Sequence, residues 1–274
     1  MFEIITHLLI IVLLLILFIL IWKSNSKEGL INNYLDGIDI IYWINLDRSS
    51  DRKEKMIKMF EDDAFSGISN ERFSAVDGNN PDSIKKIEFI DPNERPGVYG
   101  CLLSHLETIR KFNNSNYDIA LILEDDCTLE FKKYWKKSVR TVIQESPKDW
   151  EIIMLSYYFE GDDLNTHVLS NWDNMTNDYT SDQAYSTLAY IINKKGSNKL
   201  ISSIYNKEFD IYNINHKLPA HADKYIYKSL KTYAYKYPFF IYNTDNDSTS
   251  TLGHNIDNHA KFKNKLIEQY NRTI

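Results

Sequence analysis

The chain has 274 residues, 43% hydrophobic and 14% aromatic, which is enough for one sizeable core and short for two independent enzyme domains. Its formal net charge is −6, with lysines scattered among acids, so no basic stripe exists to neutralise many phosphates and a generic nucleic-acid surface is excluded. Two cysteines, Cys101 and Cys127, are too few for a disulfide framework and fit reduced thiols; without Cys-x-x-Cys or His-Glu-x-x-His, zinc chemistry has no sequence signature.

Residues 4–22 are almost wholly Leu, Ile, Val and Phe, and at a helical rise of ~1.5 Å per residue they span about 28 Å, close to a bilayer core. This predicts a transmembrane helix, a single-pass membrane anchor over residues 1–23. A cleaved signal peptide is the rival reading, opposed by Glu3, by the lack of Lys or Arg before the apolar run, and by the lack of a small-x-small site after Trp22. Lys23 and Lys27 on the carboxyl side favour a cytosolic placement of the following residues by the positive-inside rule, but two lysines leave the side open. The Asn-x-Ser/Thr triplets at Asn113, Asn174, Asn246 and Asn271 would be usable only in a secretory lumen, and an asparagine-rich chain makes such triplets by chance.

Residues 24–37 read as a polar stalk. From residue 38 strand-like and helix-like patterns alternate: strand 38–46, charged helix 50–61, strand 71–76 before the turn Asp77-Gly78, a proline-bearing loop, and helix 98–112. Strand 119–124, a helix around 131–144 and strand 151–156 complete a β/α half of the kind that builds a largely parallel sheet. Residues 157–182 have no period and predict a long loop of the sort that forms lids or substrate contacts. A strand at 185–192, helices at 195–205 and 220–230 and a strand at 233–242 follow, then a polar tail over residues 251–274. The fold class expected is α/β, one domain over residues 38–250 with a mostly parallel central sheet.

The apolar run Ile119-Ala120-Leu121-Ile122-Leu123 ends abruptly in Glu124-Asp125-Asp126. A strand that apolar is buried and central, so the acids reach the carboxyl rim of the sheet, where open α/β folds bind ligands. Successive strand residues point to opposite sides, which places Glu124 and Asp126 together as oxygen ligands of one hard divalent cation, Mn²⁺ or Mg²⁺, with Asp125 facing away. Alone, the triplet also reads as an ordinary acidic turn.

Four stretches in one order resemble glycosyltransferase family 25, the group of lipopolysaccharide-decorating transferases and collagen galactosyltransferases. They are Ile44-Asn45-Leu46-Asp47-Arg48 with Asp51-Arg52; Ala75-Val76-Asp77-Gly78; Gly97-Val98-Tyr99-Gly100-Cys101-Leu102-Leu103-Ser104-His105; and the Leu121 to Asp126 run. Ala189-Tyr190-Ile191-Ile192 before Lys195-Gly196, and the stretch from Pro219 to Asp223, are similar to the family's carboxyl half. Val98 stands where many members carry an acid. The resemblance implies a GT-A-like nucleotide-sugar transferase that moves a hexose, galactose or glucose, from a UDP-sugar to a glycan, lipopolysaccharide or hydroxylated protein with inversion. The rival class is a catalytically silent, membrane-tethered nucleotide- or glycan-binding domain on the same fold.

The chemistry suits these residues. A metal bridging the departing diphosphate stabilises the developing charge, and Glu124 and Asp126 can supply its ligands, Asp126 directly, with Asp125 holding ribose or water. Arg48 and Arg52 flank the turn into the first helix, where guanidinium can meet phosphate, or they are ordinary surface arginines. Asp77 can bind ribose or uracil, or only shape its turn. Gly97 and Gly100 permit close backbone approach; Cys101 reads as packing, and His105, on the same helix face, is either a satisfied buried histidine or a contact to donor or metal. Inversion calls for a carboxylate base, for which Asp223 is the candidate, against a reading as a helix N-terminal acid. His254 can close over the diphosphate as a late metal ligand, or is simply solvated.

Overall fold

The structure, a computed structural model, describes residues 33–159, 172–174, 185–243 and 256–271. The expected anchor, most of the stalk and His254 lie outside the described residues. Among the described residues no helix is long and apolar enough to cross a membrane.

Strand β1 (Ile40–Asn45) is buried at every position, and it pairs in parallel with β2 (Ser69–Ser74) on one side and β3 (Ile119–Glu124) on the other. Helix α1 (Ser50–Met59) links β1 towards β2, and α2 (Pro96–Asn113) links β2 to β3. These are the alternating units expected from the sequence. After the short β4 (Cys127–Thr128), a 3-10 turn and a seven-residue helix α3 (Val139–Glu145) stand where one longer helix was expected, because Ser138 caps a new helix start with its hydroxyl at the Thr141 N–H.

The sheet continues through β5 (Ile152–Met154), β6 (Trp172–Asn174), β7 (Ala189–Asn193) and, beyond helix α4 (Lys194–Ile204), the ribbon β8 (Tyr205–Asn206) with β9 (Ile211–Tyr212), and helix α5 (Ala222–Ser229), β10 (Thr232–Tyr235). Among the described residues the seven strands run in the order β2-β1-β3-β7-β5-β10-β6. β1, β2, β3, β5 and β10 run one way; β7 is antiparallel to both neighbours and β6 to β10, so the sheet is mostly parallel, as expected. The reversal of β7 matters for function. It brings the residues preceding β7, rather than those following it, to the rim where β3 ends: Leu123 lies opposite Ala189, and the Glu124 N–H donates to the Leu188 carbonyl at 2.9 Å.

Alternation along the strands divides the core into two clusters, one on each face. Tyr42, Ile44, Ala120 and Ile122 pack with Leu102, Leu103 and Leu106 of α2, while Ile41, Trp43, Leu121 and Leu123 pack with Met56 of α1 and Val139 of α3. The segment after residue 250, read from sequence as a polar tail, contains helix α6 (Ile256–Asn271), and Phe262, Leu266 and Tyr270 on it are buried in the first cluster. Their spacing of four is the apolar stripe of an amphipathic helix. The strand expected over 233–242 is split, because Pro238 interrupts it; its remainder, β11 (Ile241–Tyr242), pairs with β4 and the Asn243 N–H bonds the Asp126 carbonyl at 2.8 Å.

Candidate active site

The acid triplet divides as strand alternation requires. Asp125 turns to the α1 face, where Oδ1 accepts from the Arg52 guanidinium at 2.6 Å and Oδ2 from Asn45 Nδ2, also at 2.6 Å. Arg52 is buried and its NH1 lies 3.9 Å from Asp126 Oδ2. Burial works against its charge, and the carboxylates of Asp126 and Asp125 outweigh that, raising its pKa. Asn45 is itself clamped: Oδ1 accepts from Arg72 Nε at 2.8 Å, and since that nitrogen only donates, the amide must point Nδ2 at Asp125. Arg72 also reaches Asp47 at 2.6 Å.

Glu124 turns to the α2 face. Its Oε1 takes both of its bonds, from the Thr187 hydroxyl at 2.5 Å and with His105 Nε2 at 3.1 Å, while His105 Nδ1 meets the Tyr190 hydroxyl at 3.0 Å. Burial pushes the Glu124 pKa up, but the His105 and Thr187 bonds win and the acid is held ionised below its ordinary value. Asp126 is the opposite case. Its Oδ1 is buried with no hydrogen-bond partner among the described residues, and burial, with the negative charge of Glu124 next, pushes its pKa up to about 7. A cation at Asp126 would offset the burial of its unpartnered oxygen, so that carboxylate has the chemistry of a ligand for the hard divalent ion that the triplet suggested.

Asp223, in the first turn of α5, is brought to the same rim. Its Oδ2 accepts from the Ser186 N–H at 3.2 Å and its Oδ1 from the Lys224 N–H at 2.7 Å. Ser186 adopts φ +107°, a conformation that L side chains rarely adopt. It is held there by bonds on every polar atom: the Tyr227 hydroxyl donates to its carbonyl at 2.8 Å, and its Oγ accepts from the Leu188 N–H at 3.0 Å. The strained residue therefore joins Asp223 to Thr187, which holds Glu124.

Arg48 and Asp77 pair with each other across the rim, both part exposed, whereas Arg52 faces inward and is committed to the acids. Of the two glycines expected at close approaches, Gly100 fits: a Cβ there would lie 2.6 Å from the Gly78 nitrogen, and one at Gly78 would lie 2.1 Å from the Pro96 carbonyl oxygen. Gly97 faces open space, and Val98 is buried. The structure thus gathers Glu124, Asp125, Asp126, Arg52, His105 and Asp223 at one rim with Arg48 and Asp77 beside them. Asn45, Arg72, Ser186, Thr187 and Tyr190 were not singled out as site residues. Asn45 carried the signal that found Glu124, a polar residue ending an apolar strand; Arg72, on a strand with exposed positions, carried none.

A polar cluster at the carboxyl rim of a mostly parallel sheet defines a ligand-binding α/β protein of the open-sheet class. The family model of glycosyltransferase family 25, described as an LPS biosynthesis protein, matches residues 38–217, and the chain belongs to this family. A glycosyltransferase 25 family member of Aedes aegypti is 31% identical over 60% of this chain and 28% of its own length. Procollagen galactosyltransferase 2 of Homo sapiens is 28% identical over 76% of this chain and 35% of its own, and procollagen galactosyltransferase 1 of Danio rerio is 27% identical over 60% and 28%. The chain therefore spans about a third of the length of the curated relatives it matches.

Proposed function

We propose that this domain is a metal-dependent, inverting hexosyltransferase of the GT-A type that moves galactose or glucose from a UDP-sugar to a glycan, lipopolysaccharide or hydroxylated protein acceptor. The observation that carries the reading is the unpartnered, buried Asp126 Oδ1 beside an ionised Glu124 at the end of a central strand, in a chain of this family. The relatives named procollagen galactosyltransferases support galactose and a protein acceptor. Glu124 and Asp126 would hold Mn²⁺ or Mg²⁺, which when bound supplies positive charge for the departing diphosphate.

The remaining roles belong to the chain's own groups. His105 and Thr187 fix the Glu124 carboxylate, and Arg52 with Asn45 fixes Asp125, so that the turn is set before donor arrives. Arg48 meets a donor phosphate while Asp77, its ion-pair partner, orients it or contacts the ribose. Asp223 takes the proton of the acceptor hydroxyl, its two backbone N–H bonds leaving lone pairs free for that contact. His254 remains a candidate late ligand, and residues 4–22 a single-pass membrane tether.

Calorimetry with UDP tests the core of this reading. Affinity should rise with Mn²⁺ and collapse in Asp126→Ala, while Lys137→Ala, which alters a surface pair, leaves it unchanged. Equal UDP affinity with and without metal would overturn metal-dependent donor binding, and absence of Mn²⁺-supported hydrolysis across a panel of nucleotide sugars would favour the silent binding domain.

A further inference from the structure

Cys101, His105 and Glu124 form a second donor set beneath the acid turn. Cys101 and His105 lie four residues apart on α2, one turn of helix, and Glu124 faces them from β3. A ligand atom of each, the Cys101 sulfur, a His105 ring nitrogen and a Glu124 carboxylate oxygen, lies within 4.8 Å of the other two. The His105 Nε2 to Glu124 Oε1 separation is 3.1 Å. Two ligands held at ~2.0–2.1 Å on a tetrahedral zinc stand roughly 3.3 Å apart, so this pair needs almost no movement, and the thiol lies within 4.8 Å of both. The Tyr190 hydroxyl at Nδ1 leaves Nε2 as the coordinating nitrogen.

We propose that Cys101, His105 and Glu124 form a site for a borderline-soft divalent ion of the Zn²⁺ class, with a fourth position open to water. Its sulfur and imidazole donors distinguish it from the all-oxygen pair of Glu124 and Asp126, and hard ions such as Mg²⁺ and Mn²⁺ do not select such a set. On binding, the thiol proton leaves to solvent. The imidazole, still neutral, carries its proton on Nδ1, which donates a hydrogen bond to the Tyr190 oxygen, and Nε2 is left free to coordinate. Because Glu124 serves both sites, zinc occupancy withdraws a ligand from the hard ion; this last clause rests on the proposed transferase function, whereas zinc binding itself does not.

The test is a Co²⁺ and Zn²⁺ titration of the whole chain in excess Mn²⁺. Cobalt should saturate at one ion with a thiolate-to-cobalt charge-transfer band, and the band should vanish in Cys101→Ser but persist in Cys127→Ser. Zinc affinity, read by competition with a chelating dye, should fall more than ~100-fold in Cys101→Ser, since loss of even an outer-shell partner costs 10–100-fold. Zinc should also inhibit Mn²⁺-supported donor hydrolysis in the wild type, and Cys101→Ser, relative to its own uninhibited rate, should be resistant. Equal zinc affinity in wild type and Cys101→Ser, or a cobalt spectrum without the thiolate band, overturns the site. A chain that binds cobalt through Cys101 yet hydrolyses no nucleotide sugar supports the site and counts against the transferase reading alone.

Discussion

In the Glu124–Asp126 turn every oxygen of Asp125 is matched, by Arg52 and by an Asn45 amide that Arg72 orients; its neighbour Asp126 keeps a buried oxygen with no partner among the described residues. Three consecutive acids of similar chemistry thus end in opposite electrostatic states within one turn. The matched acid is held in place by its partners, and the unmatched one bears a burial cost that no described group offsets. Polar atoms left unsatisfied in an otherwise satisfied neighbourhood are therefore the informative ones.

The comparison is sharpened first at Asp223, where substitution should change rate far more than stability. Asp223→Asn keeps an acceptor for one of the two backbone N–H groups and cannot take a proton, so transfer to acceptor should fall by ~10²–10⁴ while UDP–Mn²⁺ affinity stays near wild type and stability drops by only about 1 kcal/mol. Survival of transfer within a few fold would move the base elsewhere, with Asp182, outside the described residues, as the next candidate.

The matched acid should respond in stability. Arg52→Met strands Asp125 without its buried cation and should cost ~3–5 kcal/mol by urea denaturation. A cost near that of an exposed pair, below ~1 kcal/mol, would show that Arg52 is not the clamp its geometry indicates.

Asp126 should move the other way. Its folded-state pKa is raised, so between its ordinary value near 3.8 and about 7 the folded chain holds a proton that the unfolded chain has released, and metal-free stability should fall as pH rises through that window. Glu124, with a lowered pKa, contributes the opposite slope only as pH drops below its ordinary range. Asp126→Asn should therefore be more stable than wild type at pH 7 without metal, by up to a few kcal/mol, and should lose the slope between about pH 4 and 7. A metal-free wild type whose stability is flat across that range would refute the assignment.

The smallest effect concerns Ser186. At φ +107° an alanine keeps the strain and a glycine does not, so Ser186→Gly should be more stable than Ser186→Ala by about 1 kcal/mol, although glycine normally ranks below alanine through its unfolded-state entropy. Both lose the Leu188 N–H acceptor, which cancels in the comparison.

Strand β3 was legible to the residue, because an apolar run closed by acids leaves one frame for a buried strand, and alternation correctly sent Glu124 and Asp125 to opposite faces. The helix expected over 98–112 is found over Pro96–Asn113. Arg52 was placed in the right neighbourhood, but its direction was not readable, since an arginine at a helix start looks the same whether it meets phosphate or a buried acid. The packed helix after residue 250 was overlooked because Phe262, Leu266 and Tyr270 are sparse among polar residues and count only through their spacing.

What the sequence determined by itself is local and periodic: the frame of β3, the acid turn, the close approach at Gly100, and membership of a family. What only the tertiary structure decided is which polar groups share which acid. The reversal of β7 brings Ser186 and Thr187 to the rim, and α5 brings Asp223 to Ser186, joining Thr187 to Glu124 across 63 positions and Ser186 to Asp223 across 37. Periodicity carries no information about strand direction, and direction sets which end of a strand meets the site.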